Sequence, residues 1–139
     1  MSFSIKMYIG FLESLTPTSL NQLEDYVTTD VHFRDPFNDV HGLDAMSRVF
    51  THMFENVEGI HFHVETSATS GEACFLEWQY DGILRGQKWS FKGTSVIRFT
   101  DEGRVYSHID YWDAAGNFYE RLPIIGPIIR RIRRHLAVR

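Results

Sequence analysis

The chain has 139 residues, of which 43% are apolar, and its 11 Phe, 6 Tyr and 3 Trp suffice for the core of one domain. No segment approaches the roughly 20 apolar residues that span a bilayer, and the N-terminus lacks the apolar region of a secretory signal. The single cysteine, Cys74, excludes an internal disulfide framework and a cysteine-based metal cluster. These features predict a cytoplasmic protein.

The net charge of −4 is unevenly distributed. Residues 1–120 contain all 18 acidic residues and 8 of the 14 basic ones, whereas residues 121–139 contain six basic residues and no acidic one. We therefore expect an acidic domain over residues 1–118 and a basic helical tail over residues 119–139. An acidic domain of this kind would repel nucleic acid, so we expect no nucleic-acid partner.

The first third of the sequence predicts helices. Apolar residues at positions 8, 11, 12 and 15 have helical spacing, and Pro17 ends that first helix. Ser19 and Gln22 resemble a capping box, which predicts a second short helix. After a short strand that stops at Asp35-Pro36, a third helix follows Gly42, with its apolar residues on one face.

From Gly59 the hydrophobic period changes from helical spacing to two, which indicates strands. Four successive strands are expected, separated by turns at Ser70-Gly71, at Asp81-Gly82 with Gly86, and at residues 101–103. Helices followed by strands predict an α+β domain with a curved, mostly antiparallel sheet.

Two carboxylates lie among large apolar neighbours. Asp35 is at the end of the first predicted strand, and Asp110 is in the last predicted strand. Buried acids need a partner or a chemical role. Asp35 before Pro36 can instead cap the following turn through backbone N–H groups. Asp110 can instead pair with Arg34, Arg98 or His108.

The order of these elements resembles the nuclear transport factor 2-like superfamily, and within it the SnoaL-like and ketosteroid isomerase-like branch. The residues that carry the resemblance, over roughly residues 8–113, are Phe33-Arg34-Asp35-Pro36-Phe37-Asn38, Gly42 with the Met46-Val49-Phe50 helix, 93–99, Gly103 and Asp110-Tyr111-Trp112-Asp113. The resemblance implies a conical fold of three N-terminal helices on a curved sheet, with an apolar pocket inside. It also implies a homodimer formed through the sheet.

The resemblance assigns roles to several positions. Asp35 matches the aspartate base of the ketosteroid isomerases, and Asp110 matches the acid–base aspartate of SnoaL-like cyclases. The oxyanion-hole acid of the isomerases is replaced by Ser95, and their tyrosine corresponds to Tyr8 or to Phe11, so steroid isomerisation itself is not expected. The implied catalytic residues are Asp35, Asp110 and His108, and the implied ligand-binding residues are Tyr8, Phe33, Phe54, Trp78, Tyr80, Trp89, Ser95 and Trp112.

Two further features have alternative interpretations. His61 and His63 form a His-x-His pair on one strand face, but no third ligand has suitable spacing, so we expect a polar outer face and no metal. The tail combines isoleucines with Arg130–Arg134 as a basic amphipathic helix. Packing on the mouth of the pocket or on a partner subunit is the favoured interpretation of this helix, and contact with an anionic membrane surface is the alternative.

The sequence thus leads to two hypotheses. The first is a cofactor-free isomerase, cyclase or hydrolase that uses aspartate for acid–base chemistry on an apolar small molecule. The second is a non-catalytic module of the same fold that binds an apolar ligand or dimerises.

Overall fold

The computed structural model describes residues 2–138. Its helices are α1 (Ser2–Glu13), α2 (Leu43–Asn56), α3 (Ala114–Asn117) and α4 (Ile125–Leu136), with 3₁₀ helices at Ser19–Asp25 and Tyr119–Arg121. Its strands are β1 (Val27–Arg34), β2 (Asp39–His41), β3 (Val57–Ser70), β4 (Ala73–Leu84), β5 (Gln87–Phe99) and β6 (Val105–Tyr111). The predicted α+β class is confirmed.

The six strands form one sheet in the order β2-β1-β6-β5-β4-β3. All neighbouring pairs are antiparallel except β1 with β6, which is parallel. The parallel pair brings the end of β1 beside β6, because Phe33 is opposite His108 and Arg34 is opposite Ile109. Two residues far apart in sequence, Asp35 and Asp110, therefore follow paired positions at one end of the sheet.

The second predicted helix is a 3₁₀ helix, and the capping box is wrong. The Ser19 hydroxyl accepts a hydrogen bond from the Thr16 N–H at 2.8 Å, and the Thr16 hydroxyl accepts one from the Ser19 N–H at 3.0 Å. With its side chain bound to the preceding turn, Ser19 cannot cap a following helix. The first helix also ends earlier than expected, at Glu13 rather than near Pro17.

The reversal between β4 and β5 occurs at Arg85-Gly86, both of which have positive φ, at 53° and 78°. This pair suits a tight two-residue hairpin turn. Asp81-Gly82, which the sequence suggested as part of that reversal, lies inside β4 instead. A Cβ on Gly82 would lie 2.5 Å from the Val57 side chain, so this glycine allows β3 to approach β4 closely.

Alternation along β4 and β5 creates the inner face of the sheet. Trp89, Phe91, Gly93, Ser95 and Ile97 are buried, while the residues that alternate with them are more exposed. A Cβ on Gly93 would lie 2.4 Å from the Trp78 indole, so the missing side chain leaves space for the indole to lie across β5. The inner face thereby holds a continuous aromatic layer beneath α1 and α2.

Beyond β6 the chain turns through α3, whose first turn is capped by Asp113 through a 2.9 Å hydrogen bond from the Gly116 N–H. The 3₁₀ helix Tyr119–Arg121 then leads into α4. Across residues 2–138, no helix has the length and apolar character needed to cross a membrane.

Candidate active site

A cavity of about 700 Å³ lies between the inner face of the sheet, α2 and the segment after β6. Its wall is mostly apolar and includes six of the residues proposed above as ligand contacts: Phe33, Phe54, Trp78, Tyr80, Trp89 and Trp112. Asp35, His108 and Asp110 also line it. A mainly apolar hollow of this size with a few convergent polar groups is typical of a small-molecule site.

Tyr8 and Ser95, the other two proposed ligand contacts, are buried behind this wall, with 1% exposure each. Tyr106, two residues before His108 in β6, does not share its face and lies on the outside of the sheet, where its hydroxyl donates to Glu72 at 2.8 Å. The irregular register between Arg98 and Phe99 explains this, since a shifted register changes the face on which a side chain lies.

Asp35 is held by its own turn. Its Oδ1 accepts hydrogen bonds from the backbone N–H of Phe37 at 2.8 Å, from the backbone N–H of Asn38 at 2.7 Å and from the Asn38 side-chain amide at 3.1 Å. Asp35 therefore caps the turn after Pro36 and lines the cavity as well. The contribution of Asn38 was not anticipated, although an Asn so soon after Asp-Pro is a common turn signal.

The pKa of Asp35 is raised above its usual range, chiefly because burial disfavours the charged carboxylate. The two backbone N–H groups of Phe37 and Asn38 act in the opposite direction, and the nearby charge of Asp110 raises the pKa further. Asp110 thus lies close enough to Asp35 for electrostatic coupling, which makes the two acids a pair within one cavity wall.

Asp110 is held by side chains from distant parts of the sequence. Its Oδ1 accepts a hydrogen bond from the Ser95 hydroxyl at 2.5 Å and lies 2.7 Å from His108 Nε2. The Trp78 indole N–H donates to the same Ser95 hydroxyl at 2.8 Å. On the other side, His108 Nδ1 lies 2.7 Å from the Tyr8 hydroxyl.

Donor chemistry assigns the protons in this network. An indole N–H can only donate, so Ser95 accepts from Trp78 and directs its own proton to Asp110. An ionised carboxylate can only accept, so His108 carries a proton on Nε2. His108 Nδ1 then accepts from the Tyr8 hydroxyl. We call this chain, Trp78–Ser95–Asp110–His108–Tyr8, the Asp110 network.

Tyr8 closes the network in the core. Burial raises the pKa of its hydroxyl well above the usual range, and the charge of Asp110 adds to this. The hydroxyl therefore stays protonated and acts as a permanent donor to His108. The rings of Phe99 and His108 lie edge-on to the Tyr8 ring, with centroids 6.3 and 5.7 Å away, and restrict its rotation.

Tyr80 lines the cavity and has a polar group that the Asp110 network does not use. Its hydroxyl is buried and has no hydrogen-bond partner among the described residues. Burial raises the pKa of this hydroxyl, so it remains a donor. Since buried polar groups are rarely left without a partner, the Tyr80 hydroxyl is a candidate to bind a polar atom of a ligand.

The family model of the SnoaL-like domain matches residues 9–108, most of the chain. The chain belongs to the SnoaL-like domain family. No curated protein sequence matches it significantly. The family match covers β1, α2 and most of the sheet, and the matched residues end at His108, before Asp110 and the segment that leads to α4.

Solved structures share this fold at low sequence identity. A protein from Burkholderia pseudomallei K96243, described as NTF2-like and of unknown function, has 17% identity and a TM-score of 0.72, covering 83% of this chain and 92% of that one. A ketosteroid isomerase-like protein from Catenulispora acidiphila in complex with trimethylamine has 16% identity and a TM-score of 0.69, covering 82% and 88%. An LEH-like epoxide hydrolase from M. tuberculosis has 16% identity and a TM-score of 0.67, covering 98% and 93%.

Three histidines outside the cavity, His32, His41 and His63, lie beside acidic residues at the surface. His63 Nδ1 lies 3.3 Å from a Glu13 carboxylate oxygen, on the outer part of β3. The histidine and carboxylate atoms of His32, Asp39 and His41 lie within 4.8 Å of one another on the β1–β2 hairpin, the arrangement that could hold a cation. There His32 Nε2 already binds Asp39 at 2.6 Å, which lowers the pKa of Asp39.

Proposed function

We propose that this SnoaL-like domain is a cofactor-free acid–base enzyme that acts on an apolar small molecule carrying a carbonyl group. The observation that carries the proposal is the pair of carboxylates, Asp35 and Asp110, on the wall of one apolar cavity. Two acids in unlike surroundings can divide the acid and base roles of a proton transfer.

Asp110 suits the role of the base. Its Oδ1 is bound by Ser95 and His108, which fixes the carboxylate toward the cavity, and the described residues give Oδ2 no hydrogen-bond donor. We propose that Oδ2 removes a proton from the carbon next to the substrate carbonyl. The buried donors behind Oδ1 hold the group in one orientation, which proton transfer requires.

Asp35 suits the role of the acid. Its raised pKa favours the protonated form, which can donate to the carbonyl oxygen as negative charge develops there. The Tyr80 hydroxyl supports the same step as a second donor from the cavity wall. The proton then returns from Asp110 to another carbon, so that the substrate is isomerised without a cofactor.

This division of roles differs from the one that the family resemblance implied, in which Asp35 was the base and Ser95 or a tyrosine bound the oxyanion. Ser95 is buried at 1% exposure, and its hydroxyl is engaged by both Trp78 and Asp110. Tyr8 is buried behind His108 in the same way. Neither hydroxyl is therefore free to meet a substrate oxygen.

The test is hydrogen exchange in deuterated water, which detects proton removal before the product is known. A panel of apolar ketones and enones, including polyketide-like, lipid-like and terpenoid compounds, is incubated with the protein, and deuterium uptake next to the carbonyl is followed by NMR. We expect uptake with the native chain and loss of uptake with Asp35→Asn and with Asp110→Asn, while ligand binding persists. Ile83→Ser, an exposed change on β4, is the matched control and should exchange like the native chain.

The second candidate is a non-catalytic module that binds the same class of ligand or assembles through the outer face of the sheet. Phe75 and Tyr111 lie on that face with 44% and 49% exposure, so a homodimer would cover apolar surface there. Binding of the ketones without deuterium uptake in any variant would favour this module over the enzyme.

A further inference from the structure

Helix α4 carries an uncovered apolar stripe. Ile125, Ile128, Ile132 and Leu136 lie within an arc of about 80° at roughly 100° per residue, so they form one line along the helix. Their exposed fractions are 49%, 57%, 55% and 76%. None of the four lines the cavity. The expectation that the tail packs its isoleucines over the mouth of the cavity in the same chain is therefore wrong.

The helix is held in one orientation by the turn before it. A Cβ on Gly126 would lie 2.3 Å from the Glu120 carbonyl oxygen, so the helix backbone crosses the 3₁₀ helix at very close range. Arg130 donates to the same carbonyl, and Arg133 Nη2 binds the buried Glu120 carboxylate at 2.7 Å. These contacts fix one edge of α4 against the domain and leave the apolar stripe facing outward.

The remaining charges of α4 are basic. Arg131 and Arg134 are exposed and make no ion pair within residues 2–138, and α4 contains no acidic residue. By the same helical geometry, Arg131 borders the apolar stripe on the side opposite Arg133. An apolar line bordered by the unpaired Arg131 matches the boundary of an anionic bilayer, where acyl chains and phosphate groups lie within a few ångströms of each other.

A second copy of the chain fits this surface less well. Residues 1–120 carry a net charge of −10, so a partner subunit could attract the arginines, but its surface would also have to offer an apolar groove along the whole stripe. The exposed apolar residues of the domain, such as Phe75 and Ile83, are scattered over the sheet. A bilayer supplies both features along the entire helix.

We propose that α4 binds the surface of an anionic membrane with Ile125, Ile128, Ile132 and Leu136 inserted and Arg131 at the phosphates. Arg121, Leu122 and Pro123, which lead into α4, line the cavity. Binding through α4 therefore holds this part of the cavity wall near the lipid surface. That an apolar substrate enters the cavity from the bilayer rests on the proposed function, whereas membrane binding itself does not.

The test is flotation of the full chain with vesicles of phosphatidylcholine alone and of phosphatidylcholine mixed with phosphatidylglycerol. We expect binding to the mixed vesicles that weakens as salt is added. Ile128→Ser combined with Ile132→Ser should lower the partition coefficient by at least about tenfold, because both side chains lose their insertion into the acyl region. Arg131→Gln should lower it by about fivefold on the mixed vesicles, whereas Arg134→Gln, on the opposite face of α4, should lower it less.

Two matched controls keep the result specific. Phe75→Ser with Ile83→Ser removes similarly exposed apolar residues from the sheet, and Lys88→Gln removes an exposed charge from β5, and both should bind vesicles like the native chain. Asp110→Asn should also bind normally, which separates this proposal from the proposed function. The absence of binding to the mixed vesicles overturns the proposal, as does a dimer in solution that Ile128→Ser with Ile132→Ser dissociates while vesicle binding is unaffected.

Discussion

Asp35 and Asp110 line the same cavity but are held in opposite ways. Asp35 is bound within three residues, by the backbone of Phe37 and Asn38 and by the Asn38 amide. Asp110 is bound by Ser95, 15 positions away, and through His108 it connects to Tyr8 in α1, 100 positions from that histidine. The first acid depends on a turn, and the second depends on the whole fold.

The difference indicates how each acid should respond to change. A turn that supplies backbone N–H groups keeps its geometry when one side chain is altered, because the backbone donors remain. A network of buried side chains leaves donors or acceptors without partners when one member is removed, and each such group carries a desolvation cost. Perturbing Asp110 or its partners should therefore affect stability more than perturbing Asp35 does.

The largest effect is expected for Asp110→Asn in the deuterium-exchange assay. An amide cannot take up the substrate proton, so the exchange rate should fall by about 10²- to 10⁴-fold, the usual contribution of a general base. NMR measurement at saturating ketone separates this from weaker binding. An exchange rate within a factor of about three of the native value would exclude Asp110 as the base. The proposed difference in role between Asp110 and Asp35 would then be lost.

The next largest effect is expected for Ser95→Ala. It removes the acceptor of the Trp78 indole and the donor to Asp110 at once, so the free energy of unfolding should fall by about 1–3 kcal/mol. Urea denaturation measures this change. Ser107→Ala on the outer face of β6 is the control and should change the free energy by less than about 0.5 kcal/mol. Equal effects at the two serines would mean that the network adds nothing to stability.

A smaller effect is expected for Tyr8→Phe. The ring and its packing remain, but His108 Nδ1 loses its donor, and the free energy of unfolding should fall by about 1 kcal/mol. Tyr111→Phe changes an exposed hydroxyl and should be neutral by the same denaturation measurement. A Tyr8→Phe variant as stable as the native chain would show that the Tyr8 hydroxyl adds nothing to the stability of the fold.

The smallest effect is expected for the pH dependence of Asp35. Its pKa is raised in the folded state, so folding favours the protonated form, and the associated stability is present below the ordinary pKa of about 3.9 and is lost as the pH rises through the folded-state value. Asp35→Asn keeps an oxygen for the backbone donors and does not ionise. Between pH 4 and pH 7, the free energy of unfolding of this variant should therefore rise relative to that of the native chain, by up to about 1 kcal/mol. Denaturation at each pH measures this change. If the free energy of unfolding of the variant instead falls relative to that of the native chain over this range, the N–H groups of the turn outweigh burial and lower the pKa of Asp35.

The local features of the fold could be predicted because short-range patterns specify them. The period of two from Gly59 onward predicted β3 to β6, and the helical spacing after Gly42 predicted α2. The three-residue strand β2 was not anticipated, because a strand that short carries no periodic signal. The 3₁₀ helix at Ser19–Asp25 differed from the expected α-helix because Ser19 binds Thr16 instead of capping.

Asp35 shows how far the sequence by itself determines this protein. Asp-Pro with Asn38 specifies a turn whose donors lie within three residues, and the chain's charge pattern specifies a basic amphipathic tail. Only the tertiary structure decided that Trp78, Ser95, Asp110, His108 and Tyr8 form one network, and that the stripe of α4 faces outward. Hydrogen bonds between side chains from different strands and helices depend on strand register and on packing, neither of which a local pattern specifies.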